Sequence, residues 1–371
     1  MAREYFVGCI SGTSLDGLDI ALVDFDQRKT DVLSSICATI PKQLKSKLTA
    51  LCSVGENEID RLGETDSEFG AFIGSAINTF LSDQGVLPEQ IKAIGSHGQT
   101  IRHRPENKHP FTMQIGNAAT IAELTGITTI SDFRSADIAA GGQGAPLVPA
   151  FHKFAFSSGD TDRLVLNLGG ISNISVLPSG RNSDAFVHGY DIGPANTLLD
   201  QWVEEHKSKP YDEGGAWARS GQLIAPLLKS FLDDKFFAIK GPKSTGREYF
   251  NLSWLARHLT GNENPADVQR TLLELTAQSV SVAIKAEATA SPNELIICGG
   301  GARNSFLVER ICDLCAPMPT IKTDNLGIPA DDVEAAAFAW LARENVNRRP
   351  GNICSVTGAK RPKVLGAVYH P

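Results

Sequence analysis

The chain predicts an α/β fold in two domains, and three observations carry that prediction. Strand patterns alternate with helix patterns along its length, as in α/β proteins. A strand–Gly turn–strand unit occurs twice, and a strand running into three glycines and then a helix occurs once. With 371 residues there is room for two domains of ordinary size. Each unit is weak alone. Together they suggest a duplicated architecture in which each half presents a hairpin to phosphates.

The first unit is the most informative. An apolar run, Tyr5 to Ile10, enters a loop of Ser11, Gly12, Thr13 and Ser14, which Asp16 and Gly17 close. An alternating run leaves it, with Leu18, Ile20 and Leu22 on one face and Asp19, Ala21 and Val23 on the other, so the segment reads as a β-hairpin. Glycines let backbone N–H groups converge on phosphate oxygens, and hydroxyls add donors. Asp16 and Asp19 beside such a cradle would repel the phosphate without a cation between, so Mg²⁺ is implied. An ordinary tight hairpin is the plainer reading, but it needs fewer special residues. A P-loop is excluded, because a strand follows the loop and no Lys lies in it.

Further along, Ser46 to Asp83 reads as helical, and Ile91 to Ser96 as a short buried strand with His97, Gly98 and Gln99 at its exit. Thr112 to Leu124 reads as a helix that Gly126 ends, and Ile127 to Ile130 as a strand ending at Asp132 and Arg134. Gly141 to Pro146 is a flexible break, which places the domains at 1–150 and 151–371.

The second half opens with the second hairpin, Arg163 to Leu177, turning at Gly169 and Gly170 with Ser172 and Asn173 as donors. A strand over Ala185 to Tyr190 leads to Asp191, and a long helical tract runs from Thr197 to Ser230. Val268 to Ala290 is a strong helix. The third unit carries Gly299, Gly300 and Gly301 between a buried strand and a helix. Asp331 is a good N-cap type for an Ala-rich helix, 332–344, whose small side chains suit close packing.

Composition narrows the classes. A net charge of −7 argues against a nucleic-acid partner, which demands a basic surface. Seven scattered cysteines, an odd number, fit a reducing compartment better than a disulfide framework. Cys312 and Cys315, three apart on one helix face, read as a structural pair. No signal peptide is read at the N-terminus and no apolar run approaches the ~20 residues of a membrane span, so a cytoplasmic protein is expected.

Several polar residues sit where ligands gather in α/β proteins, at strand exits. Asp191 precedes a rigid Ile192-Gly193-Pro194 turn, and from position alone a general base and a helix cap are even readings. Asp132 and Asp137 are rivals for the base. An internal ion pair with Arg134 is the plain alternative for Asp132. The Arg134 guanidinium matches planar anions. Lys243 to Arg247 reads as an anion loop or as a surface turn, with no role assigned to each side chain.

The ordered set GCISGTSLDGLD (8–19), GSHGQTIRH (95–103), SDFRSADIAAGGQGAPLVP (131–149), NLGGISNI (167–174), YDIGPANTLLD (190–200), PKSTGREYFN (242–251) and CGGGARN (298–304) spans nearly the whole chain. It resembles the phosphate and adenosine segments of the actin/sugar-kinase ATPase superfamily. More closely, it resembles the anhydro-N-acetylmuramic acid kinase family of bacterial cell-wall recycling.

The resemblance implies a two-domain actin/hexokinase-like fold, a duplicated ribonuclease H-like fold, with the active site in the interdomain cleft. It implies Asp191 as the catalytic base. ATP would be bound by Gly12, Thr13, Ser14, Leu15, Asp16, Gly17, Leu18, Asp19, Gly169, Gly170, Gly299, Gly300 and Gly301, with Asp19 toward Mg²⁺. The resemblance also points His97 and Gln99 to the sugar. Asp132 and Arg134, at a strand end, are read as substrate-side from their positions, as is Glu334 in the first turn of the Ala-rich helix, where dipole compensation is the plainer role.

The implied reaction couples phosphorylation to hydrolytic opening of 1,6-anhydro-N-acetylmuramic acid, giving N-acetylmuramic acid 6-phosphate. The partners are then ATP and an anhydro amino-sugar, with no nucleic acid or membrane, and a homodimer is left open. Two other readings remain: a kinase of another small sugar, and an actin-like nucleotide switch that assembles.

Overall fold

The computed structural model describes residues 4–12, 15, 17–26, 29–180, 186–239, 243–288 and 293–371. They form two compact units, each built on its own β-sheet. In the first, β1 (Tyr5–Ser11), β2 (Leu18–Asp26) and β3 (Lys29–Ala38) form an antiparallel meander. β4 (Ile91–Arg104) then lies parallel to β1. β5 (Phe111–Ile115) folds back on the far half of β4, and β6 (Thr129–Ser131) lies parallel to its near half.

The second unit repeats the plan. β7 (Asp162–Leu168), β8 (Ile171–Leu177) and β9 (His188–Pro194) form the meander. β10 (Asn293–Cys298) is parallel to β7, and β11 (Thr320–Lys322) is parallel to β10. The spatial orders β3-β2-β1-β4-β6 and β9-β8-β7-β10-β11 match in order and in sense. The duplication expected from two hairpins and one Gly-rich turn is therefore present in the sheets themselves.

The chain then returns to where it began. Residues 327–371 belong with residues 1–155, and residues 156–326 form the second unit. This differs from a division at residue 150 with everything after it in one domain. The physical reason is the Ala-rich helix Val333–Val346, whose backbone lies on the first sheet. A Cβ added to Gly8 would fall 1.9 Å from the Ala335 carbonyl oxygen, and one on Gly95 would fall 2.1 Å from that of Phe338. Glycines on neighbouring strands thus admit a helix rich in alanine. The opposite face of the sheet buries Val7, Cys9, Leu18, Ile20 and Leu22 against helices Lys42–Leu51 and Glu58–Asp83. A last strand, β12 (Ala367–Tyr369), pairs antiparallel with β6.

Local differences have local causes. The tract from Ser46 to Asp83 is two helices, broken where Asn57 takes a left-handed conformation with φ 49°. Residues 111–115 are strand rather than helix, because alternating Thr112 and Gln114 find partners in Thr100 and His103 across the β4–β5 pair. The helix there is only Ala118–Thr125, capped by the Asn117 side chain on the Thr120 N–H. The tract from Thr197 to Ser230 divides into Asn196–Lys207, Ala216–Ser220 and Ala225–Leu232. Asp332, not Asp331, precedes the Ala-rich helix, and its carboxylate accepts from Ser35 Oγ at 2.7 Å.

Candidate active site

In the second unit, Gly169 and Gly170 turn β7 into β8 as expected, and the turn is tied to the start of helix Asn196–Lys207. The Asn196 N–H donates to the Gly169 carbonyl at 3.1 Å, and the N–H groups of Ala195 and Thr197 both donate to that of Gly170 at 3.0 Å. Around Gly170 the space a Cβ would take is lined by Thr197 Oγ1 at 3.4 Å and by Arg247 Nε and Nη2 at 3.5 Å. Thr197 Oγ1 is buried with no hydrogen-bond partner among the described residues. A guanidinium and an unsatisfied hydroxyl beside a Gly–Gly turn are groups suited to an anion.

The third Gly-rich segment packs on the same strand end. Gly299 has φ +81°, and a Cβ there would fall 2.3 Å from Asn167 Oδ1. One on Gly301 would fall 2.7 Å from Leu168 Cβ. Both glycines are therefore needed for close approach to β7, whatever ligand the segment serves. Gly300 begins a short 3-10 turn, 300–303, ahead of helix Ser305–Cys315.

Asp191 lies within β9, not past its end, opposite Asn173 where the β8–β9 register shifts by a residue. Such a bulge re-aims a side chain. The Asp191 N–H donates to the Lys243 carbonyl at 3.0 Å. Its Oδ2 accepts from the Thr245 N–H at 3.0 Å and from Ser244 Oγ at 3.1 Å. Among the described residues Oδ1 takes no hydrogen bond.

The helix that follows starts at Asn196 after Ala195, so Asp191 does not cap it. Burial pushes the Asp191 carboxyl above the usual carboxylate range. The Thr245 N–H and Ser244 hydroxyl oppose that rise, and the Glu248 charge adds to it. Lys243 is turned away: Nζ donates to the Phe236 carbonyl at 3.1 Å and lies 4.4 Å from that ring's centre. Burial lowers its pKa. Earlier in the strand and on one face, Tyr190 Oη and His188 Nε2 each meet the Glu287 carboxylate at 2.9 Å.

In the first unit, two expected sugar-side residues from separate segments, His97 and Arg134, meet directly. His97 lies inside β4, not at its exit, next to Gly98 at φ +70°. Arg134 Nε donates to His97 Nε2 at 3.0 Å, so the imidazole proton sits on Nδ1, facing the Gly98 carbonyl at 3.0 Å. Arg134 Nη1 donates to the Gly144 carbonyl at 2.8 Å. Burial, and then the Arg134 charge, push the His97 pKa down to about 3, so the ring is neutral at ordinary pH. Burial lowers Arg134 to about 10, against the opposing charges of Glu334 and Asp137. Gln99 is buried two residues on, and its Oε1 has no partner among the described residues.

The remaining carboxylates separate. Asp137 is fully buried and accepts from the Gly144 N–H, Asn352 Nδ2 and Thr357 Oγ1 at 2.6–2.8 Å, which makes it an anchor of the 141–146 turn. Asp132 is exposed at φ 55° and accepts from Ser135 Oγ at 2.5 Å, starting a short helix, and makes no ion pair with Arg134 among the described residues.

At the first hairpin, the Leu15 N–H closes a turn on the Gly12 carbonyl at 3.1 Å, and Leu15 is buried. Gly17 packs on Cys37, whose Sγ lies 2.2 Å from where a Cβ would stand. Leu18 is buried and Asp19 half-buried at the start of β2. Thr13, Ser14 and Asp16 lie outside the described residues. Mg²⁺ asks for only one or two carboxylates and completes its shell with water and phosphate oxygens, so Asp19 fits as a donor.

Sequence reasoning assigned no roles to Ser244, Thr245 and Arg247 and missed Thr197. The motif around 243–247 was visible, but its partners lie more than fifty residues away, in β9 and in the Gly–Gly turn. Only pairing in space reveals them.

Comparison with known proteins gives a consistent result. A solved structure of an activator of 2-hydroxyisocaproyl-CoA dehydratase from Clostridium difficile, with ADPNP bound, overlaps 93% of this chain and 96% of its own at 14% identity and a TM-score of 0.46. The fold assignment rests instead on the two matching sheets. The anhydro-N-acetylmuramic acid kinase of Coxiella burnetii is 49% identical over 370 residues, covering 100% of this chain and 98% of that protein. The enzyme of that name from Saccharophagus degradans is 48% identical over 378 residues, covering both chains fully. The family model for anhydro-N-acetylmuramic acid kinase matches residues 4–371, and the chain belongs to that family.

Proposed function

We propose that the protein is an ATP-dependent kinase that opens 1,6-anhydro-N-acetylmuramic acid with water and phosphorylates it to N-acetylmuramic acid 6-phosphate, in peptidoglycan recycling. The observation that carries this, within the family, is Asp191: a carboxylate fixed through one oxygen, free at the other, and raised in pKa by burial. A base is most useful when its pKa moves toward the working pH.

The substrate dictates what that base must do. The oxygen that bridges C1 and C6 carries no proton, so there is none to abstract from it. Asp191 takes a proton from water instead, and the water oxygen bonds to C1. The C1–O bond breaks, the freed O6 bonds to the γ-phosphorus, and ADP leaves. Because phosphoryl transfer needs mainly positioning and charge neutralisation, the remaining residues hold and neutralise.

Gly12 to Asp19 and Gly169-Gly170 take the phosphates, with Arg247 and Thr197 beside the latter, and Gly299 to Gly301 take the adenosine. Mg²⁺ at Asp19 supplies countercharge to the phosphates when bound. His97, Arg134, Gln99 and Glu334 serve the sugar. Arg134 is the cation for its lactyl carboxylate, and neutral His97 orients that guanidinium. Asp132 is retained at the edge of this group.

We place the protein in the cytoplasm, since all seven cysteines are free thiols, Cys37 and Cys52 exposed among them. Among the described residues no helix is long and apolar enough to cross a membrane. A homodimer belongs to the same proposal, and light scattering reads it directly.

The test is ATP consumption against a panel of amino-sugars with and without the anhydro bridge. Turnover confined to the anhydro sugar is expected. In ¹⁸O-water the label should enter C1 and stay out of the phosphate ester. Label in free phosphate with the sugar still bridged would reduce the protein to an ATPase.

A further inference from the structure

The segment 243–245 binds Asp191 at both its backbone and its side chain. The Asp191 N–H donates to the Lys243 carbonyl, and Oδ2 accepts from both Ser244 Oγ and the Thr245 N–H. The carboxylate cannot rotate without breaking both side-chain bonds. We propose that Ser244 is a positioning residue for the base: with the Thr245 N–H it holds Oδ2, and so aims Oδ1 at the attacking water.

This rests on the reading of Asp191 as base. It goes beyond that reading by giving a job to an exposed serine whose side chain makes no other hydrogen bond among the described residues. Thr245 contributes its backbone, and its own hydroxyl stays buried without a partner there. Hydrogen bonds to a charged acceptor are the strong ones, and two on one oxygen fix both the distance and the plane of the carboxylate. Small misplacement of a reacting group is costly even when every group is present.

The charged surroundings allow the role to be read in solution. Glu248 on the same loop raises the proton affinity of Asp191. Lys243 faces Phe236, Arg247 faces Gly170, and along β9 Tyr190 and His188 are both engaged by Glu287. The Ser244 hydroxyl is thus one of two donors that stabilise the ionised base. Without it the carboxyl holds its proton more tightly, and the acid limb of the rate profile moves to higher pH.

The experiment compares wild type, Ser244→Ala, Ser244→Thr and Asp191→Asn by kcat, by KM for anhydro sugar and ATP, and by the pH dependence of kcat. Ser244→Ala should lose roughly ten- to a hundredfold in kcat, keep both KM values, and shift the acid limb upward. Ser244→Thr, which restores the hydroxyl, should recover the limb. Melting curves check that each variant folds. A Ser244→Ala enzyme with an unmoved limb overturns the positioning role, even if kcat falls. An active Asp191→Asn enzyme overturns the assignment of the base itself, so the two failures are distinct.

Discussion

Asp191 is held between opposed influences. Burial and the Glu248 charge favour its proton, and two donors on Oδ2 favour its loss. Because the net shift is upward, the folded protein binds the proton more tightly than the unfolded chain, and stability falls as pH rises through that window. The ionised carboxylate is therefore less favourable to the fold than the protonated one. Asp191→Asn is expected to lose about 10²–10⁴ in turnover while melting no lower than wild type, which a coupled ADP assay and a thermal scan check together.

His97 works in the opposite sense. Its folded pKa, about 3, lies below the ordinary 6.5, so the unfolded chain takes up the proton first on acidification. The stability it contributes at neutral pH is lost as pH falls below the higher value. His97→Gln should therefore flatten the drop in melting temperature on acidification. A slope equal to wild type would show that the ring is not buried neutral.

Among the elements, the Ala-rich helix and the glycine pair beneath it form one device. Gly8 and Gly95 remove side chains where the helix backbone approaches, and the helix supplies alanines in return. Gly95→Ala would drive a methyl into the Phe338 carbonyl, so the helix must lift. Overpacking of this kind costs about 1–3 kcal/mol, and the loss should appear as a lower denaturation midpoint. An unchanged midpoint would mean that the helix does not rest on β4. The hairpins follow a related logic: β9 carries Asp191 beside a register shift, and β4 carries His97 beside the left-handed Gly98. In each sheet a local irregularity aims a polar group out of an otherwise regular ladder.

At the scale of the whole molecule, the chain closes its first unit last. The C-terminal segment adds helix 333–346 and β12, and its Asn352 and Thr357 hold the buried Asp137. Asn345 ties the helix to the carbonyls of Leu365 and Gly366. A chain ending at Leu326 should leave residues 1–155 with an uncovered sheet face and rapid proteolysis there, while cleavage within residues 156–326 stays slow. Equal protection of both units would show that residues 1–155 fold without the returning segment.

The sequence by itself determined the duplicated α/β class, the two Gly-turn hairpins and the motifs that identify the family, because periodicity and glycine-bearing turns are properties of adjacent residues. It also singled out Asp191, His97 and Arg134. Tertiary structure decided what those residues touch. Asp191 became a fixed base candidate rather than a helix cap because Ser244 and Thr245 reach it across more than fifty positions. Asp137 became an anchor because Asn352 and Thr357 arrive from the far end of the chain. The strand at 111–115 and the return of 327–371 were hidden for the same reason: both are set by pairing and packing between distant segments, which no local window of sequence contains.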